Sequence, residues 1–198
     1  MRNGDMTKSK PALFGAAGIR DILRQYLPYA GIPFVMATLL VVFMARLDAF
    51  VLLNYELLIV FGYITAIFDI KTRRIPNALI LAMLMAWAIA ITPRLFLSTD
   101  AAIAFLLDSA IGFVVGGGLF LLIYLVSRKG LGGGDVKFMA GVGLYLGFGK
   151  VIPAMFYATI LAALVGLTLI LMKKIGRKDK IPLAPFLYIG ILIAIFLH

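Results

Sequence analysis

Two aspartates of the sequence stand where an apolar stretch meets a basic one. Asp69 ends the apolar run 49–68 and precedes IKTRR, whereas Asp135 follows GLGGG and precedes the apolar run 138–149. Two carboxylates that meet at one level of a small helical bundle cannot both ionise easily, so such a pair shares one proton. The ionised member can take a proton from water while the protonated member donates a hydrogen bond to a carbonyl. This is the chemistry of two-carboxylate peptide hydrolysis.

The segments around both aspartates supply candidate support residues. Glycines have no Cβ, so backbone and substrate can approach closely beside them. Proline suits the first turn of a helix and asparagine suits the cap, so IPN predicts a helix start that holds this segment near the glycine-rich loop. The basic residues are interpreted mainly as determinants of topology, with contact to a substrate as the alternative. The candidates are Gly132, Gly133, Gly134, Lys137, Lys71, Arg73, Arg74, Pro76 and Asn77.

Apolar runs make up most of the chain and must position these residues. The 198 residues are 63% hydrophobic, against about 45–50% in soluble domains, which predicts an all-α polytopic membrane protein. The runs fall at about 30–45, 49–68, 78–93, 101–126, 138–149, 151–172 and 183–198. The fifth run is short for a span, so its helix is expected to begin near Asp135.

The chain is expected to contain one membrane domain preceded by a surface segment. Apolar residues recur at helical spacing within residues 1–29, which predicts a short amphipathic helix on the cytoplasmic membrane surface. Residues 30–198 then form a single domain, with a six-helix core over about 49–198 and one extra span before it.

Basic residues alternate between the connections of seven spans. Residues 1–29, 69–77, 127–137 and 173–181 carry 16 of the 19 Lys and Arg, and each of the other three connections carries one. The positive-inside rule therefore places both aspartates and the N-terminus on the cytoplasmic side of the cell membrane, and the C-terminus outside. Topology and contact with anionic lipid explain the net charge of +10, so no nucleic acid is expected as a partner.

Several kinds of chemistry lack the necessary residues. The chain has no cysteine and a single histidine, His198, so no metal site, cofactor or thiol nucleophile is expected. A small proton- or cation-coupled transporter that uses the same carboxylates is the alternative function. Such a protein would place ionisable residues near the middle of the bilayer, where Glu56 is the one ambiguous candidate.

Three segments resemble the type IV prepilin peptidase family of GxGD membrane aspartyl proteases. FDIKTRRIPN (68–77) is similar to the first catalytic segment of the family, GGGDVK (132–137) to the second, and IPLAPFLYIG (181–190) to the proline-rich start of its last helix. The resemblance implies that Asp69 and Asp135 are the catalytic pair, with no metal. It implies removal of a short basic leader from prepilins, pseudopilins or preflagellins at the cytoplasmic face.

The resemblance is to the short, peptidase-only form of the family. Many bacterial members carry an N-terminal domain with paired Cys-x-x-Cys motifs and also methylate the new N-terminus. Because this chain contains no cysteine, N-methyltransferase activity is not expected. The particular pilin and the oligomeric state are left open by the sequence.

Overall fold

The structure is a computed structural model that describes residues 48–127, 131–173 and 181–197. This part of the chain consists of five helices and contains no strand. The helices are α1 (Ala49–Thr72), α2 (Asn77–Leu97), α3 (Thr99–Val126), α4 (Gly133–Leu171) and α5 (Ala184–Leu197). The predicted amphipathic segment 1–29 and the extra span at about 30–45 lie outside the described residues.

The prediction of an all-α polytopic membrane protein is confirmed. Helices α1 to α4 are each long and apolar enough to cross a membrane, and α5 is a shorter apolar helix. Large apolar side chains point outward from them, with Ile89 68%, Leu122 61% and Leu164 58% exposed. Such a surface is unfavourable in water and favourable against lipid tails, so these faces are lipid-facing.

The connection from α1 to α2 is short and carries part of the predicted site. α1 ends at Arg73, which adopts the left-handed conformation with φ 50° and donates its backbone N–H to the Asp69 carbonyl at 2.8 Å. The IPN segment does begin α2, as predicted, but the roles of its residues differ. Pro76 occupies the cap position and Asn77 is the first helical residue, so Asn77 is not the cap.

The six-helix core predicted from residue 49 onward corresponds to these five helices, because α4 contains two helical arms joined at a break. The runs 138–149 and 151–172 belong to one helical element, which begins at Gly133 and breaks at Gly147 with φ 68° and ψ −178°. A Cβ built on Gly116 would lie 2.5 Å from the Met139 carbonyl oxygen and 3.1 Å from Val151. Residues 12 apart in a straight helix are about 18 Å apart, so α4 folds back into two arms.

Close packing of α3 against both arms of α4 stabilises this reversal. The Gly112 and Gly116 pair predicts a helix-packing surface, and the structure confirms it. The backbones of Gly112 and Gly143 touch so closely that a side chain on either would overlap the other. The buried core continues through Tyr145 and Ile191, so α5 packs into the same bundle.

Candidate active site

Asp69 lies in the last turn of α1 and is 6% exposed. Its Oδ2 accepts a hydrogen bond from the backbone N–H of Ala184 at 2.9 Å. Ala184 is the first residue of α5, and the N-terminal end of a helix carries a partial positive charge. The carboxylate of Asp69 is therefore oriented by a segment 115 residues away in the sequence.

Asp135 lies in the first turn of α4 and is 9% exposed. Its Oδ2 accepts the N–H of Gly132 at 3.2 Å, and its own N–H donates to the Gly132 carbonyl at 3.1 Å. Within the described residues its Oδ1 has no hydrogen-bond partner. This oxygen is itself buried, so its capacity to form a hydrogen bond is unused in the structure.

The two carboxylates line the same two cavities, each of about 230 Å³. Arg73 and Gly132 line both cavities as well. Asp135 also lies within the electrostatic field of Asp69. The fold therefore brings the end of α1 and the start of α4 together, as the shared position of these residues at the basic edges of apolar runs predicts.

The glycines of the GGGD segment meet different surroundings. A Cβ on Gly132 would lie 2.8 Å from Oδ2 of Asp135, and one on Gly134 would lie 3.1 Å from Cβ of Ile75. A Cβ on Gly133 would meet nothing within 4 Å. All three glycines line the first cavity, but only at Gly132 and Gly134 would a side chain crowd a neighbouring group.

The basic candidates divide into two groups. Arg73 and Arg74 line the first cavity together with both aspartates. Lys137 lies outside these two cavities, where its Nζ donates to Oδ1 of Asn77 at 3.0 Å. This bond joins the start of α4 to the start of α2.

The two remaining candidates lie beside the site. Lys71 and Pro76 line neither of the two cavities. Lys71 is exposed in the last turn of α1, and Pro76 is half-buried at the cap of α2.

Several residues that line the site were not among the candidates, because the candidates were chosen for chemically active residue types. Ile181, Pro182 and Leu183 line the second cavity, and Ala184 binds Asp69 through its backbone. Apolar side chains and a backbone amide carry no chemical signature in a sequence. The only available signal is the proline-rich start of the last helix, IPLAPF, which marks this segment as unusual.

Comparison with known proteins identifies the family. The model of the type IV leader peptidase family matches residues 56–167, more than half of the chain, and the match includes both aspartates. The chain belongs to the type IV leader peptidase family. The predicted resemblance to this family is thus confirmed, and the match includes two of the three segments, 68–77 and 132–137. Membership in this family and the four long apolar helices together indicate an integral membrane protein.

Three curated relatives carry the name prepilin leader peptidase/N-methyltransferase. The Bacillus subtilis protein is 33% identical over 132 residues, which cover 66% of this chain and 50% of the relative. The Legionella pneumophila protein is 33% identical over 147 residues, which cover 73% of this chain and 50% of the relative. The Xanthomonas campestris protein is 25% identical over 123 residues, which cover 62% of this chain and 42% of the relative. This member of the family thus spans about half the length of the relatives it matches. No solved structure matches the chain.

Proposed function

We propose that this chain is a membrane aspartic endopeptidase that removes the short basic leader from prepilin-like substrates. The observation that carries the proposal is the pair of buried carboxylates, Asp69 and Asp135, which line shared cavities inside the region matched by the family. The names of the relatives support the substrate class. The basic connections at this end of the helices support cleavage at the cytoplasmic face.

The hydrogen bonds of the two aspartates suggest their roles. Asp69 accepts an amide N–H at the positive end of α5, an environment that favours an ionised carboxylate. Asp135 has one carboxylate oxygen without a partner among the described residues. A proton on this oxygen could be donated to the carbonyl of a substrate. We therefore assign Asp69 as the general base and Asp135 as the general acid.

The reaction then follows from these two protonation states. Asp69 takes a proton from water as the water oxygen attacks the scissile carbonyl carbon, while Asp135 gives its proton to the carbonyl oxygen. The tetrahedral intermediate collapses as the C–N bond breaks, and Asp69 passes its proton to the leaving amine. The hydroxyl proton of the intermediate returns to Asp135, so both groups are restored. No metal or cofactor takes part in this proposal.

Substitution of each aspartate tests the proposal. Asp69→Asn and Asp135→Asn keep the side-chain volume and remove the acid or base. Each is expected to slow leader cleavage by on the order of 10²–10⁴-fold, measured as the shift of a co-expressed prepilin on a gel. Asp100→Asn is the matched control, because Asp100 is exposed in the first turn of α3. Wild-type cleavage by either active-site variant at normal protein level would contradict the mechanism.

The transport alternative has less support in the described residues. Asp69 and Asp135 are the buried acidic residues there, and both stand at helix ends. A coupling carboxylate of a transporter is expected near the middle of the membrane.

We also propose peptidase activity without N-methylation, which incubation with a cleaved pilin and labelled S-adenosylmethionine would test.

A further inference from the structure

A third cavity lies at the opposite end of the bundle from the aspartate pair. Its volume is about 340 Å³, and most of its lining is apolar or aromatic, including Val51, Phe105, Leu146, Tyr55 and Tyr145. Its polar groups come from Asn54, Asp108 and Lys150. Asn54 and Asp69 are 15 residues apart on α1, which is about 22 Å along the helix axis. The cavity is therefore separate from the proposed peptidase site.

The cavity carries one charge of each sign. Within the described residues no ion pair joins Lys150 to Asp108. Lys150 places its Nζ 4.9 Å from the centroid of the Tyr55 ring, and Asp108 accepts the backbone N–H of Phe148 at 3.1 Å. An ammonium group has three N–H donors and a carboxylate has about four acceptor positions, so both retain hydrogen-bonding capacity. An occupant with complementary charges of both signs would satisfy them.

Asn54 adds an acceptor that lacks a donor. The residue is 1% exposed, and its Nδ2 donates to the Phe50 carbonyl at 2.9 Å. Its Oδ1 has no hydrogen-bond partner among the described residues. Buried acceptors left without a partner are costly and rare. This oxygen is enclosed in the structure, and we expect an occupant that displaces the enclosing side chains to bring it an N–H donor.

The depth of the cavity indicates that the occupant comes from the membrane. The hydrocarbon layer is about 30 Å thick, so a cavity about 22 Å from the level of Asp69 lies inside it if Asp69 is at one boundary. The first arm of α4, residues 133–147, is also about 22 Å long. A short span is matched by thinning of the bilayer, by snorkelling of flanking side chains or by oligomerisation. Thinning would bring the lipid headgroups of that leaflet towards Asp108 and Lys150.

We propose that this cavity binds the headgroup of a phospholipid that carries both a phosphate and a primary ammonium, the phosphoethanolamine class. Lys150 binds the phosphate, while Asp108 and Oδ1 of Asn54 accept N–H bonds from the ammonium. The rings of Tyr55 and Tyr145 pack against the carbons between the two charges. The Tyr145 hydroxyl does not compete, because it donates to the Met83 carbonyl at 2.8 Å.

Lipid retention by the purified full chain tests this proposal. The protein in detergent is incubated with equal amounts of phosphatidylethanolamine, phosphatidylcholine and phosphatidylglycerol of identical acyl chains, and retained lipid is measured by native mass spectrometry. Choline has no N–H donor and phosphatidylglycerol has no ammonium. Because each lost charged hydrogen bond weakens binding by on the order of tenfold, one phosphatidylethanolamine is expected to be retained about tenfold over either competitor.

Variants and a soluble competitor identify the source of the selectivity. Asn54→Leu and Lys150→Met are expected to lose it, and Lys150→Arg to keep it. Glu56→Gln is the matched control, because Glu56 is half-buried two residues from Asn54 and does not line the cavity. Glycerophosphoethanolamine is expected not to displace the lipid. Thermal melting of each variant without lipid shows whether it is folded.

Three outcomes would overturn the proposal. The first is equal retention of the three lipids by the wild type. The second is undiminished selectivity in both Asn54→Leu and Lys150→Met. The third is displacement of the lipid by the soluble headgroup, which would assign the cavity to a free metabolite.

Discussion

At the residue scale, the backbone of Ala184 is the least expected part of the site. Its N–H reaches Oδ2 of Asp69 at 2.9 Å, and the alanine itself is fully buried. A hydrogen bond to a charged group is worth about 1.5–3 kcal/mol. A single amide of this kind can therefore decide which carboxylate of the pair is ionised.

Ala184→Pro removes this donor at a position where proline is tolerated, the first residue of a helix. We expect leader cleavage to slow by on the order of 10- to 100-fold, because the hydrogen bond to Asp69 is lost. Ala184→Gly is the control, since it keeps the N–H. The cleavage rate of a purified prepilin by each variant measures the effect. Equal rates for the proline and glycine variants would show that the amide does not orient Asp69.

At the element scale, α4 combines two spans without a loop between them. Gly147 makes the reversal with φ 68° and ψ −178°, a conformation essentially restricted to glycine that costs other residues about 1–3 kcal/mol. A Cβ at this position would also overlap the Asp108 carboxylate, which accepts the neighbouring Phe148 N–H at 3.1 Å. Asp108 thus binds the backbone directly after the reversal. The structure gives it a part in holding the two arms of α4.

Gly147→Ala is expected to destabilise the protein by at least about 1–3 kcal/mol, because strain and overlap act together. The measurement is the midpoint of thermal unfolding in detergent. Gly149→Ala is the matched control, since a Cβ there would meet nothing within 4 Å. If both variants unfold at the wild-type temperature, the reversal does not depend on the left-handed conformation.

At the scale of the whole molecule, the two aspartate cavities and the third cavity lie at opposite ends of one apolar bundle. The aspartate cavities lie at the end of α1 and the start of α4, beside Arg73 and Arg74. The other cavity lies near the start of α1 and the reversal of α4. The distribution of Lys and Arg predicts that the aspartate end is cytoplasmic.

Reporter fusions test this orientation. Alkaline phosphatase fused after His198 is expected to be active, because the C-terminus is predicted to lie outside, whereas a fusion within 173–181 is expected to be inactive. Green fluorescent protein at the same positions should give the reverse pattern. An inactive phosphatase and a fluorescent protein after His198 would invert the topology and move the aspartate pair to the outer face.

Much of this architecture was predictable because it depends on the composition of single segments. Long apolar runs indicate helices in a membrane, and the bounds of α1, α2 and α3 follow those runs within a few residues at most ends. The two aspartates were identifiable because charged residues at the edges of such runs are conspicuous. The prediction that Asn77 caps α2 was wrong, because the Asn77 side chain binds Lys137, 60 residues away, instead of its own helix.

The sequence by itself determined which segments enter the membrane and which carboxylates stand at the basic edge, because hydropathy and charge act segment by segment. Only the tertiary structure decided which groups meet. The Ala184 amide on Asp69, the reversal of α4 at Gly147 and the cavity around Asn54 all join residues distant in the chain. Such contacts depend on how helices pack, and packing is set by the shapes of many side chains together.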